Sequence, residues 1–300
     1  MRTDSVVTPV LRQGAGLFGM AAPADARPAI GVIVPNAENP VHEEAAEQIA
    51  LLAGARGLSV LREDAHGLEE TERACYQRLL AAGVAGLIVM PVSARAHALY
   101  RDCPVPCVLL GSRTEVASLD YVVQDDYYAA YLVVSRLSQC GRRNIAFLSY
   151  PGAQGYSALD RQNGMLKAVK RSELSDLRVR ITVLPSERLT DSYEAAKTLL
   201  TSDNAPNAIV GQNDYIALGA LQAMEDLSLV PGRDVAVIGF DNLSLSSLPK
   251  IRLSTVTTVD MSVAERAFSL ALRRIGEGTR AGRCGCVLAP RLVFRDSFPG

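Results

Sequence analysis

The sequence predicts an α/β fold made of two doubly wound units, each a parallel sheet with helices on both faces. Short continuous apolar runs at residues 30–35, 85–90, 208–211 and 235–239 are bounded by turn residues, the pattern of strands buried on both faces. Helix-length segments with apolar stripes lie between them, and strands alternating with helices require crossover units and hence parallel pairing. A length of 300 residues is a prior of about two domains and permits large cores.

The first unit opens with a strand at 30–35. A helix follows over 41–56, with Ala45, Ile49, Leu52 and Ala53 on one stripe, then a strand at 59–62. A helix over 68–82, a strand at 85–90, a short helix over 94–100 and strands at 106–111 and 121–124 complete it. The second unit begins with a helix over 127–140 and a strand at 145–149. It continues with a helix over 161–170, a strand at 179–184 and a helix over 193–201. The stretch 207–242 then packs a strand, the polar corner Gln212-Asn213-Asp214, an apolar helix and a second strand ending at Asp241 and Asn242. In such a sheet the polar residues just past the carboxyl ends of strands face the ligand crevice, so Asn213, Asp214, Asp241 and Asn242 fall on one rim. After Leu253 come a strand through Val259, a helix over 262–277, a polar Gly/Arg-rich turn and an extended stretch over 286–294.

Residues 1–28 do not fit this pattern, because Pro23 and Pro28 stop any helix there. Gly14-Ala15-Gly16-Leu17-Phe18-Gly19 matches a dinucleotide fingerprint by letter, yet Pro23 arrives before the long helix that motif needs. A signal-peptide reading meets three glycines in a short apolar core. The expectation is a disordered segment without a complete helix-turn-helix.

Composition narrows the function. A formal charge of -1 and a pI near 6.3 give no basic footprint for nucleic acid in the bulk of the chain. No run approaches the ~18 apolar residues of a membrane span. Six cysteines and three histidines lack zinc-site spacing, so no metal is expected, and an aliphatic core of this size needs no disulfides, which points to a reducing cytoplasm. Catalysis lacks a motif. His42-Glu43-Glu44 has no second histidine four residues on, Gly155-Tyr156-Ser157-Ala158-Leu159 lacks the closing glycine of a nucleophile elbow, and no phosphate loop occurs. Neither enzyme activity nor a cofactor is expected.

Asn213-Asp214, Ala217-Leu218-Gly219-Ala220-Leu221, Val230-Pro231, Asp234-Val235 and Ile238-Gly239-Phe240-Asp241-Asn242 together resemble the effector-binding core of lactose-repressor (LacI/GalR) family transcriptional regulators. Matching phrases recur at residues 30–35 with Asn39-Pro40, at Arg161 with Gly164, at Leu253-Ser254-Thr255-Val256, and at Arg291-Leu292-Val293 with Arg295-Asp296-Ser297. The resemblance implies a periplasmic-binding-protein-like type I fold, with two lobes joined by three crossings. These would be residues 29–125 with 258–284, and 126–257 with 285–300. It implies a homodimer that senses a small polar effector, with a sugar as the expected class, in the inter-lobe cleft. DNA would be reached only through a head missing from these 300 residues. The rival is an exported sugar- or solute-binding protein of a transporter, which shares the fold.

The implied ligand-binding residues are Asn39, His42 and Ser112 of the first lobe and Ser157, Arg161, Asn213, Asp214 and Asp241 of the second. Arg161 offers a planar fork to hydroxyls or a carboxylate, and Asp241 accepts from hydroxyls. Without the resemblance, Arg161 reads as a solvated arginine at a helix start and Asp241 as a turn aspartate. As rim side chains, both should be removable without loss of the fold. Val41 and His42 stand where the family usually carries two stacking aromatics, and an aromatic wall of the second lobe is lost around Glu187.

Overall fold

The computed structural model describes residues 12–13, 28–150, 156–259, 261–277 and 284–300. The expectations for residues 1–28 therefore lie outside the described residues, apart from Arg12, Gln13 and Pro28. In chain order the elements are β1 (Arg12–Gln13), β2 (Ala29–Val34), α1 (Pro40–Gly54), β3 (Ser59–Asp64), α2 (Glu69–Ala81), β4 (Gly86–Val89), a 3-10 helix Ala94–Tyr100, β5 (Cys107–Leu110) and β6 (Asp120–Gln124). Then follow α3 (Asp126–Gln139), β7 (Asn144–Ser149), α4 (Tyr156–Arg171), β8 (Arg178–Val183), α5 (Leu189–Leu200), β9 (Ala208–Gly211), α6 (Asp214–Asp226) and β10 (Ala236–Ile238). The last are a 3-10 helix Ser244–Ser247, β11 (Thr255–Thr258), α7 (Val263–Glu277), β12 (Gly285–Leu288) and β13 (Pro290–Val293).

Contacts divide the chain into two units. One holds Met1–Glu38, His42–Val122 and Val263–Cys286, the other Asn39–Val41, Val123–Ser262 and Val287–Gly300. The expected boundaries at 257/258 and 284/285 differ by a few residues for a physical reason. Strand β11 pairs with β13 and keeps its following turn with the second unit, while Tyr121 N–H donates to the Cys284 carbonyl and ties that end to the first.

The first unit is built on a sheet of order β1-β3-β2-β4-β5-β6-β12, parallel from β1 to β6. Ile33, Leu87, Val89 and Leu109 of the strands pack with Leu79 of α2 and with Tyr100 in one buried cluster. These apolar strands have no polar face because helices cover both sides. On α1 the buried positions are Ala46, Ile49, Ala50 and Ala53, so the expected stripe is rotated slightly from Ala45 and Leu52.

The second unit has a parallel sheet of order β10-β9-β7-β8. Alternate strand residues divide between two cores. Ile145, Phe147 and Val210 meet α3 and α4, whereas Ala146, Leu148 and Ile209 meet α5 and α6. Helix α4 thus crosses on one face and α5 on the other, so strand order reverses between β7 and β9, the place where open α/β sheets bind ligands. Helices α3 and α4 approach closely because Gly164 has no side chain: a Cβ there would run into the Tyr127 carbonyl.

Two differences from the sequence reading matter. Helix α4 starts at Tyr156, so Arg161 lies in its second turn and not at its start. The final extended stretch is broken at Ala289 into β12, at the edge of the seven-stranded sheet, and β13, antiparallel to β11.

Candidate functional site

Four strand ends of the second unit present polar residues in the order of the sheet. Asp241 follows β10, Gln212 follows β9, Tyr150 follows β7 and Glu187 lies in the turn after β8. At the point of strand-order reversal, Ser149 Oγ at the end of β7 donates to Gln212 Oε1 at 3.4 Å. Arg161 reaches this place from α4. Its Nε donates to Asp126 Oδ1 at 2.8 Å, its Nη2 to Asp241 Oδ1 at 3.2 Å, and its Nη1 to the Gln212 carbonyl. The guanidinium also lies over the Phe240 ring, 4.3 Å from the centroid.

Arg161 is only 6% exposed and Asp126 3%, so the arginine is an internal strut as well as a rim residue. Burial pulls its pKa down, but the Asp126 and Asp241 carboxylates outweigh burial, and the guanidinium titrates above its ordinary range. The expectation of a rim arginine removable without cost to the fold is corrected on this point, and the burial also sets aside the reading of a solvated arginine. Asp126 had no motif signal, because its side chain is the first residue of α3 and meets Arg161 only through the packing of α3 on α4.

Asp241 and Asn242 turn the corner after β10 with positive φ values of 93° and 55°. Asp241 N–H donates to the Val256 carbonyl, Asn242 N–H to Thr255 Oγ1, and Asn242 Oδ1 accepts from Arg295 Nη2 at 2.7 Å.

The other expected rim residues of this unit divide. Asn213 caps α6, its Oδ1 accepting from Ile216 N–H at 2.9 Å. Asp214 does not face the crevice. It is 0% exposed and accepts from Leu243 N–H at 2.8 Å and from the Ser246 and Thr255 hydroxyls. Sequence spacing put it on the rim, but as the first residue of α6 its side chain turns inward to fasten the chain after β10. Ser157 is half-buried, one turn before Arg161 on α4. Asn39, which groups with this unit, is 1% exposed; its Oδ1 accepts from Val41 N–H and its Nδ2 donates to Glu187 Oε2 at 3.0 Å.

Burial pushes the Asp214 carboxyl up to about 7, against the hydroxyl and amide donors that favour its charge. Its folded pKa is thus above its unfolded value, so the fold favours the protonated form and loses stability as pH rises from about 4 to about 7. The stability advantage of the parent over Asp214→Asn should shrink by about 2 kcal/mol between pH 5 and pH 8. Denaturant unfolding of both proteins at the two pH values checks this, and a constant difference would refute it.

In the first unit, His42 Nδ1 donates to the Asn36 carbonyl at 2.9 Å. Ser112, 7% exposed, follows β5 and has its Oγ 2.9 Å from His97 Nε2. His97 was not foreseen as a partner; burial holds its pKa below the ordinary value. Among the described residues no group of three or more His, Cys, Asp or Glu is placed to hold a metal ion, and no helix is long and apolar enough to cross a membrane.

Residues 134–298 match the model of the periplasmic binding protein-like domain. Catabolite control protein A of Priestia megaterium is 26% identical over 270 residues, which cover 89% of this chain and 81% of that protein. The crystal structure of a LacI transcriptional regulator from a Rhodococcus species superposes with a TM-score of 0.78 at 27% identity, covering 90% of this chain and 98% of that one. A LacI family transcriptional regulator from Enterococcus faecium, solved with bound ribose, has a similar fold, with a TM-score of 0.77 at 22% identity over 90% of this chain and 98% of that one.

Proposed function

The chain belongs to the periplasmic-binding-protein-like family and, within it, to the LacI-type transcription regulators, and from that premise we propose that its second unit binds a small polyhydroxy effector, such as a sugar, at the β7/β9 reversal point. One observation carries this reading. The Arg161 fork is fixed between the Asp241 carboxylate and the Gln212 carbonyl at the carboxyl end of the sheet, so acceptors and a charged donor converge where ligands of such sheets sit. The ribose held by the Enterococcus faecium regulator supports a sugar as the ligand class.

A thermal-shift screen of sugars, polyols and nucleosides supplies the ligand, and calorimetry then compares Asp241→Ala with the parent. Hydrogen bonds to a charged group contribute about 1.5 to 3 kcal/mol each, so the variant should bind at least ~10-fold more weakly. A folded Asp241→Ala protein that binds as tightly as the parent refutes the assignment.

We further propose that the working species is a two-fold homodimer, supported by large apolar side chains left in solvent on helices, among them Leu51 of α1 at 62% exposure. Light scattering at micromolar concentration should give twice the mass of one chain. A monomer mass at that concentration would sink the dimer.

A further inference from the structure

Cys103 and Cys107 lie together in the first unit, on a segment that two prolines stiffen. Cys103-Pro104-Val105-Pro106-Cys107 runs from the 3-10 helix Ala94–Tyr100 into β5, and each proline fixes one backbone dihedral on the way. Both ends are pinned. Cys103 N–H donates to the Tyr100 carbonyl at 3.1 Å, and Leu87 N–H of β4 donates to the Pro106 carbonyl at 2.8 Å. Cys107 is 7% exposed in the core cluster of Leu87, Leu109 and Tyr100, and the half-buried Cys103 packs against that same cluster. The two thiols hydrogen-bond each other, and Val105 N–H and the Tyr76 hydroxyl also reach Cys103.

These contacts treat the two sulfurs differently. The hydrogen bond from Cys107 outweighs partial burial and, with those from Val105 and Tyr76, brings Cys103 below the ordinary thiol range. Cys107 moves up, because it donates in that bond, is buried, and meets the charges of Cys103, Asp120 and Glu72. An accessible thiolate beside a sheltered thiol is the arrangement of an attacking and a resolving cysteine. Cys75, in the same cluster, has no such help, and burial pushes its thiol up to about 11. Among the described residues the pair belongs to no group of three or more His, Cys, Asp or Glu that could hold a metal ion.

We propose that Cys103 and Cys107 close into a reversible disulfide, which makes the amino end of β5 an oxidation site of this chain. The oxidant is hydrogen peroxide. The Cys103 thiolate attacks one peroxide oxygen, the O–O bond breaks, and the departing oxygen takes a proton and leaves as water, so Cys103 becomes a sulfenic acid. The Cys107 sulfur then attacks the Cys103 sulfur and gives up its proton, and the sulfenic hydroxyl leaves as a second water. Two electrons pass from the two thiols to one peroxide. A dithiol reductant returns them by exchange and is itself oxidised to a disulfide.

Trypsin cleavage after Arg101 and Arg113 releases residues 102–113, a peptide that holds these two cysteines and no other. The whole chain is reduced, exposed to hydrogen peroxide at pH 7, alkylated in urea, digested and weighed. The expected product is that peptide two hydrogens lighter and free of alkyl groups, and dithiothreitol before alkylation should restore two alkylated thiols. It should form at least ~5-fold faster than peroxide oxidises glutathione, because the larger thiolate fraction outweighs the lower nucleophilicity of a low-pKa thiol. In Cys107→Ala, whose melting temperature reports that it is folded, the sulfenic acid should persist at Cys103 and be captured by dimedone on the same peptide. A parent peptide that keeps two alkylated thiols after peroxide, stops at sulfinic acid, or is bridged to another cysteine overturns the proposal. So does a urea-unfolded chain that closes the bridge as fast as the folded protein, since sequence spacing alone would then bring the thiols together.

Discussion

Arg161→Ala should melt about 10 °C below the parent and show no measurable affinity for the effector. Removing the guanidinium leaves Asp126, 3% exposed, without its ion-pair partner, and breaking a buried pair by deleting one side destabilises by about 3 to 5 kcal/mol. For a chain of this size each kcal/mol moves the melting temperature by about 2 to 4 °C. The Gln212 carbonyl and the Phe240 face lose their contacts as well. Arg161→Met combined with Asp126→Asn removes both charges and should recover at least half of the lost stability while binding stays absent. Thermal denaturation and calorimetry on the three proteins separate the two roles. An Arg161→Ala variant that melts within 2 °C of the parent would mean the arginine is only a ligand contact.

Arg274→Ala should be comparably destabilising, by about 3 kcal/mol, yet should leave effector affinity within about twofold. Arg274 extends from α7 to grip Asp120 at the start of β6 through two bonds, Nε to Oδ2 at 2.6 Å and Nη2 to Oδ1 at 2.8 Å. Asp120 Oδ1 also accepts from Cys284 N–H, so one carboxylate fastens a helix, a strand and the segment leading into β12. Both residues are 6% exposed. Unlike Arg161, this pair touches none of the strand ends that carry the proposed site. Urea unfolding measures the loss, and a large fall in affinity without a fall in stability would contradict the separation.

The central strands were legible because their burial on both faces leaves no polar position to confuse the pattern: residues 30–34 are apolar or glycine throughout and fully buried. Arg161 and Asp241 were visible through the resemblance and lie together at 3.2 Å. What escaped depends on partners distant in sequence. Tyr150 and Gln212 become neighbours only once β7 and β9 are known to be adjacent, and strand order is not written in apolar periodicity. The run through Ala289 breaks at Pro290, which opens β13, but only the pairing reveals that β12 and β13 join different sheets. Asp214 was misplaced because a residue just beyond a strand end faces the crevice or the interior according to the turn it joins, and only the three donors around it reveal which.

The corner at Asp241 and Asn242 sets two demands on the chain against each other. Left-handed backbone disfavours a residue with a Cβ by about 1 to 2 kcal/mol, and here two such residues follow one another, pinned by Val256, Thr255 and Arg295. Glycine at 241 would relax that strain and delete the carboxylate proposed to recognise the ligand. Selection for heat resistance alone would therefore erode recognition first at this corner, and a lineage that keeps Asp241 does so against the preference of its own backbone.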